Sequence, residues 1–139
     1  MPAPAFRPQF DPLEARDVPS FGTGGFVPGG TGFVALDMVV QPDDKVVVVG
    51  LGGSGRTAPD FAVARFNADG TRDTGFGTGG IATLDFKGKW DQPQAVALQP
   101  DGKIVVGGYA NVGTGASAND TAFALARFNP NGTVDTSFG

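Results

Sequence analysis

The chain has 139 residues, a formal net charge of −4, no cysteine and no histidine. That length gives one domain with a real core, and the missing residues exclude disulfides, thiolate nucleophiles, the commonest general base and the commonest metal ligands. Ten scattered Lys and Arg leave no basic stripe for nucleic acid, and no apolar run approaches the ~18 residues that cross a bilayer.

Residues 1–20 form a proline-rich arm, with Pro2, Pro4, Pro8 and Pro12 keeping it extended. Met1 to Phe10 has no apolar core of a signal peptide, and the compartment stays open, with an extracellular or cell-surface setting favoured. The link Phe21-Gly22-Thr23-Gly24-Gly25 leads into a weak strand near Gly25-Phe26-Val27. Strands follow at Leu36–Val40 and Val46–Val49, joined by the turn Gln41-Pro42-Asp43-Asp44-Lys45. In that turn proline presets φ, and Asp44 is predicted to take the left-handed position. Phe61–Phe66 alternates large and small residues as a strand with unequal faces does, and ends in the turn Ala68-Asp69-Gly70. After the link Phe76-Gly77-Thr78-Gly79-Gly80, a strand is predicted over Gly80–Phe86, then at Gln94–Leu98 and Ile104–Val106 around the turn Pro100-Asp101-Gly102. Phe123–Phe128 and the turn Pro130-Asn131-Gly132 complete the series, which contains no helical periodicity.

The chain thus repeats itself, with offsets of 55, 58 and 62 at its three anchors. Each unit is a supersecondary module that buries its core by stacking on copies of itself. The units divide the chain into an arm at 1–20, a first blade at 21–77 and a second at 78–139. Roughly four short strands per ~60 residues is the content of one propeller blade. The predicted fold is therefore all-β, with two four-stranded antiparallel propeller-type blades. Two blades are too few to close a ring, so oligomerisation is expected to complete it. Alternation of the connections places the Pro-Asp-Gly turns and Phe-Gly links on one side. Residues 28–34 and 87–93 and the long loops 51–60 and 110–121 fall on the other, where variation marks the binding side.

The runs Gln99-Pro100-Asp101-Gly102-Lys103-Ile104-Val105-Val106, Phe123-Ala124-Leu125-Ala126-Arg127-Phe128-Asn129 and Asp135-Thr136-Ser137-Phe138-Gly139 resemble the bacterial delta-sixty repeat. The resemblance covers nearly all of residues 21–139 and implies a propeller-like array without a defined activity. It transfers no catalytic or binding residue. Asp44 and Gly75 depart from it, where the repeat prefers Gly and Ser.

Few residues invite chemistry. Asn67, Asp69, Thr71 and Asp73, with Asn129, Asn131, Thr133 and Asp135, lack the glycine position and the bidentate Glu of a calcium loop, and read as Asx-capped hairpins. Arg65 and Arg127 stand eight residues before Asp73 and Asp135, the spacing of a cross-strand ion pair. The Gly-Thr-Gly-Gly links lack the lysine and helix of a phosphate loop. Serines have no histidine to activate them, and Asp85, Asp91 and Asp120 show no paired acid and base. No catalytic residue, metal site or cofactor is expected. A binding site is predicted at Trp90, Asp91, Tyr109, Asn111 and Asp120, where aromatic platforms adjoin amide and carboxylate groups suited to a glycan. The leading functional reading is a non-enzymatic module that binds copies of itself in a ring or filament. A trimer of six blades is favoured over dimeric or tetrameric rings, and a lectin-like or protein-binding propeller is the alternative. Phe10-Asp11-Pro12 through Phe21-Gly22 echoes the end of the second repeat, so the arm is expected to dock where a neighbour's chain would continue.

Overall fold

A computed structural model describes residues 21–22, 33–52, 59–114 and 120–139, which contain seven strands and no helix. Strands β1 (Val34–Val40), β2 (Val46–Gly52), β3 (Asp60–Phe66) and β4 (Ile81–Leu84) form one antiparallel sheet in chain order. Strands β5 (Asp91–Leu98), β6 (Ile104–Asn111) and β7 (Thr121–Phe128) form a second. The all-β expectation holds.

The turns form as their residues dictate. Gln41 and Lys45 close the β1–β2 hairpin, with Gln41 N–H donating to Lys45 O at 2.8 Å, and Asp44 sits at φ 62°. The β5–β6 hairpin is its copy, with Gln99 N–H to Lys103 O at 2.8 Å and Gly102 at φ 81°. These matching turns set matching registers, Val40↔Val46 and Met38↔Val48 in the first hairpin becoming Leu98↔Ile104 and Val96↔Val106 in the second. The next strand pair is equivalent as well. Val47↔Arg65, Val49↔Val63 and Leu51↔Phe61 in the first sheet become Val105↔Arg127, Gly107↔Leu125 and Tyr109↔Phe123 in the second.

The fourth strand departs from expectation. Gly80 N–H donates to Phe76 O at 2.9 Å and Thr78 N–H to Ile81 O at 2.8 Å, and this turn sends the chain back along β3. Phe61↔Leu84 and Val63↔Ala82 then pair, so the first sheet runs past residue 77 and takes the strand assigned by sequence to the second unit. Consequently the second sheet has three strands among the described residues rather than four. The arm at 1–20 and the weak strand near Gly25-Phe26-Val27 lie outside the described residues.

The core lies between the two sheets. Val47, Val49, Phe61 and Val63 of the first face Ile104, Val106 and Phe128 of the second, all fully buried. Phe76 is buried among them, and Phe61 meets Phe86 edge-on at 5.1 Å. Each such side chain contributes roughly 1.5–3 kcal/mol by leaving water. Links dock on turns at one end of the sheets. Gly77 N–H donates to Asn131 O at 2.8 Å, and Gly22 N–H donates to Asp69 O at 3.1 Å in the same relation one unit earlier. Gly70 and Gly132 permit this approach, because a Cβ would meet Gly22 N at 2.2 Å and Gly77 N at 2.5 Å.

Candidate functional site

At the opposite end, the loops converge where β5 begins beside β3. Asp91 N–H donates to Pro59 O at 2.8 Å, and Asn111 N–H donates to Trp90 O at 3.2 Å. The Asp91 side chain is fully buried, and its Oδ2 accepts from Phe86 N–H at 2.8 Å. Its Oδ1 has no hydrogen-bond partner among the described residues. Asp85 Oδ1 accepts from the backbone N–H of Lys87 at 3.0 Å and from that of Gly88. One carboxylate oxygen each from Asp60, Asp85 and Asp91 lies within 4.8 Å of the others. Burial first, then the Asp85 and Asp91 charges, hold the Asp60 pKa above its ordinary value. Burial and Asp85 likewise raise Asp91, against the lowering effect of the Phe86 and Asn111 backbone amides.

Of the five residues singled out by sequence, Trp90, Asp91, Asn111 and Asp120 meet at this end of the second sheet. Trp90 is half-buried. Asn111 is buried, and its Oδ1 accepts from Gly113 N–H at 3.0 Å. Asp120 is exposed, and its carbonyl accepts from Val112 N–H at 2.8 Å and Gly113 N–H at 3.1 Å. Tyr109 stands apart, on the outer face of the second sheet opposite Phe123. The carboxylate of Asp91 and the amide oxygen of Asn111 therefore shape the loops from inside. Asp60 was missed by sequence reasoning. Its signal was a break in the repeat, since Ala122 holds its place in the second unit and Phe33 holds that of Asp91 in the first.

A second surface is apolar. Phe123, Leu125 and Tyr109 are 72%, 45% and 49% exposed on the outer face of the second sheet, at register positions whose counterparts Phe61 and Val63 are fully buried. Together they form an exposed apolar patch on this face.

The turn end is structural. Asp69 Oδ1 accepts from Thr71 N–H at 2.9 Å and Thr71 Oγ1 at 2.6 Å, so this Asx geometry caps the hairpin. Asp73 Oδ2 pairs with Arg65 Nε and Lys45 Nζ, both at 2.8 Å. Asp135 Oδ2 pairs with Arg127 Nε at 2.8 Å and Lys103 Nζ at 2.9 Å. Arg65 lies over the Phe76 ring at 4.6 Å, as Arg127 lies over Phe138 at 4.5 Å.

These repeated units are what the comparison with protein families detects. The family described as "Domain of unknown function (DUF5122) beta-propeller" matches residues 41–76 and 99–138, more than half of the chain. No curated protein matches it. Both matched stretches begin at a Gln-Pro-Asp turn, run through two strands of a sheet and include the Arg–Asp pair. The chain belongs to this beta-propeller family of unknown function.

Proposed function

We propose that the chain is a non-enzymatic assembly module of the delta-sixty repeat type, which associates head to tail with copies of itself. The observation that carries this is the exposure of Phe123 and Leu125, at 72% and 45%, where Phe61 and Val63 are covered by the second sheet. The contact between the two sheets is thus the template for the contact between chains. The edge of β7 supports the same reading. In the first sheet β4 covers the edge of β3 after Phe76-Gly77 has docked on the next turn. Phe21-Gly22 docks on the turn of the first unit in the same manner, and Phe21-Gly22-Thr23-Gly24-Gly25 repeats the sequence Phe76-Gly77-Thr78-Gly79-Gly80 that leads into β4. Strand addition from a second copy would satisfy the outer edge of β7, which pairs with no further strand among the described residues.

Three chains would close a six-bladed ring, within the four to eight blades that propellers use. Light scattering coupled to size exclusion tests this. A discrete oligomer of three chains is expected, and a charge at Phe123 (Phe123→Asp) should reduce it to monomers. A folded wild-type monomer at all concentrations would refute self-association. The glycan alternative rests on Trp90 and Tyr109. It draws less support, because Asp91 and Asn111 are buried and Tyr109 belongs to the apolar face.

A further inference from the structure

Three carboxylates meet at the junction of the two sheets, and the blade architecture does not require them. Asp60 opens β3, Asp85 follows β4 and Asp91 opens β5, so the cluster joins the first sheet to the second. In the other unit Ala122 stands for Asp60 and Phe33 for Asp91, and the strands form regardless. The four ion pairs among the described residues engage Asp73 and Asp135 and none of these three. Like charges at this range repel, more strongly as water is excluded. Asp91 sharpens the conflict. Its side chain is fully buried, yet Oδ1 lacks a hydrogen-bond partner among the described residues. A buried carboxylate oxygen with no donor calls for a ligand of positive charge.

From this geometry we infer that Asp60, Asp85 and Asp91 bind a divalent cation of the calcium class, which clamps the two sheets together. The donor set is oxygen alone, which suits a hard cation. Ligand oxygens within 4.8 Å of one another fit around Ca²⁺. Ca²⁺ takes about six to eight oxygens in flexible geometry, which an irregular set of three carboxylates from two sheets can supply, whereas Mg²⁺ demands a near-ideal octahedron and gives up its waters reluctantly. The Phe86 amide on Asp91 Oδ2 and the Lys87 and Gly88 amides on Asp85 Oδ1 orient both groups and leave each a second oxygen for the ion. Water supplies the remaining ligands, as is common for Ca²⁺. The inference is independent of self-association, because all three carboxylates come from one chain.

The test uses the whole chain after chelator treatment. Tb³⁺ is the probe, since Trp90, the single tryptophan, is the neighbour of Asp91 and sensitises its emission. Saturable emission that Ca²⁺ displaces, and Mg²⁺ displaces far less well, is expected. Millimolar Ca²⁺ should raise Tm by about 5 °C, because the ion binds the folded chain only. Asp60→Asn separates a ligand from a merely structural carboxylate by the sign of its effect. In chelator it relieves repulsion and should raise Tm, whereas with Ca²⁺ it should lose most of the Ca²⁺-induced rise and weaken binding about tenfold or more. Asp85→Asn should behave likewise, which keeps the test decisive if buried Asp91→Asn fails to fold. Tb³⁺ emission without saturation, a Tm unmoved by Ca²⁺, or an undiminished Ca²⁺ response in Asp60→Asn would each overturn the site.

Discussion

The two sheets share turn residues, register and ion pairs, and differ in what lies against them. Phe61 and Val63 are fully buried in the first sheet, while Phe123 and Leu125 at the same register in the second are 72% and 45% exposed. In the reverse direction, Val96 and Leu98 on β5 pack into the core, while their β1 counterparts Met38 and Val40 are 55% and 54% exposed. Burial here is a property of the neighbouring sheet rather than of the strand. The two exposed faces are unlike, each the counterpart of a face buried between the sheets, so the proposed self-association would be a heterologous contact that closes a ring or extends a filament.

The most direct way to break this comparison is to delete the same ring twice. Phe61→Ala should cost about 3–5 kcal/mol, as truncation of a fully packed aromatic does. Phe123→Ala should cost within about 0.5 kcal/mol of nothing in dilute solution, where it is exposed. Urea denaturation at low protein concentration measures both. Equal costs would mean that the two faces are equivalent in solution and that the second is already covered.

The docking of links on turns gives the next effect. Gly132 sits at φ +88° and its Cβ would meet the Gly77 nitrogen at 2.5 Å, whereas Gly79 sits at φ +60° with nothing within 4 Å. Gly79→Ala should therefore cost about 1 kcal/mol, the left-handed strain alone. Gly132→Ala adds a backbone clash and should cost about 2 kcal/mol or more. The difference, read from denaturation midpoints, isolates the contact between the units. Identical costs would show that the link does not hold against the turn.

How much of this was legible in the sequence depends on distance along the chain. Strands and hairpins were legible because β-branched runs and Pro-Asp-Gly turns act locally, and so was the Arg65–Asp73 pair, eight residues apart. Lys45 reaches the same carboxylate across 28 residues and was not. The pairing of Ile81–Leu84 was missed for the same reason, since a strand after a turn pairs with whichever edge lies open, and sequence does not order the edges. At the candidate site, Trp90, Asp91, Asn111 and Asp120 were placed together by loop position. The inward aim of Asp91 and the approach of Asp60 follow from the packing of one sheet on the other, which no local pattern encodes.

Acid distinguishes the two ion-pair clusters. Hydrogen bonding to Lys45, with help from the Gly75 amide and Arg65, holds the Asp73 pKa below its ordinary value. Asp135 is held far lower, first by the Ser137 hydroxyl at 2.6 Å and then by Lys103 and Arg127. A depressed carboxylate contributes stability that is complete above its unfolded pKa of about 3.9 and is lost as pH falls toward the folded value. Stability should accordingly decline below about pH 4, and Asp135→Asn should flatten that decline more than Asp73→Asn. Gly75 stands where the second unit has Ser137. Exchange of one hydroxyl should thus transfer acid resistance: Ser137→Gly raises the Asp135 pKa, and Gly75→Ser lowers that of Asp73. NMR titration of the two carboxyl groups measures this, and unchanged values in both variants would assign the difference between units to something other than the hydroxyl.

The smallest effect concerns the one described residue other than glycine with positive φ. Asp44, at φ 62°, fills the turn position that Gly102 holds at φ 81° in the second unit. Left-handed backbone costs an L-residue roughly 1 kcal/mol, and less for Asp, whose short polar side chain bonds locally. Asp44→Gly removes that strain but gives the unfolded chain more freedom, worth about 0.4–1 kcal/mol in the opposite direction. The two terms nearly cancel, so Asp44→Gly should be neutral to stabilising by no more than about 0.5 kcal/mol. Gly102→Val keeps the strain, adds a β-branch and gains no local hydrogen bond, so it should cost at least ~1 kcal/mol. Space does not decide this, because a Cβ at Gly102 would meet Pro130 Cγ at an ordinary 3.4 Å. A large loss from Asp44→Gly would mean that the aspartate side chain, not the backbone, sets the first turn.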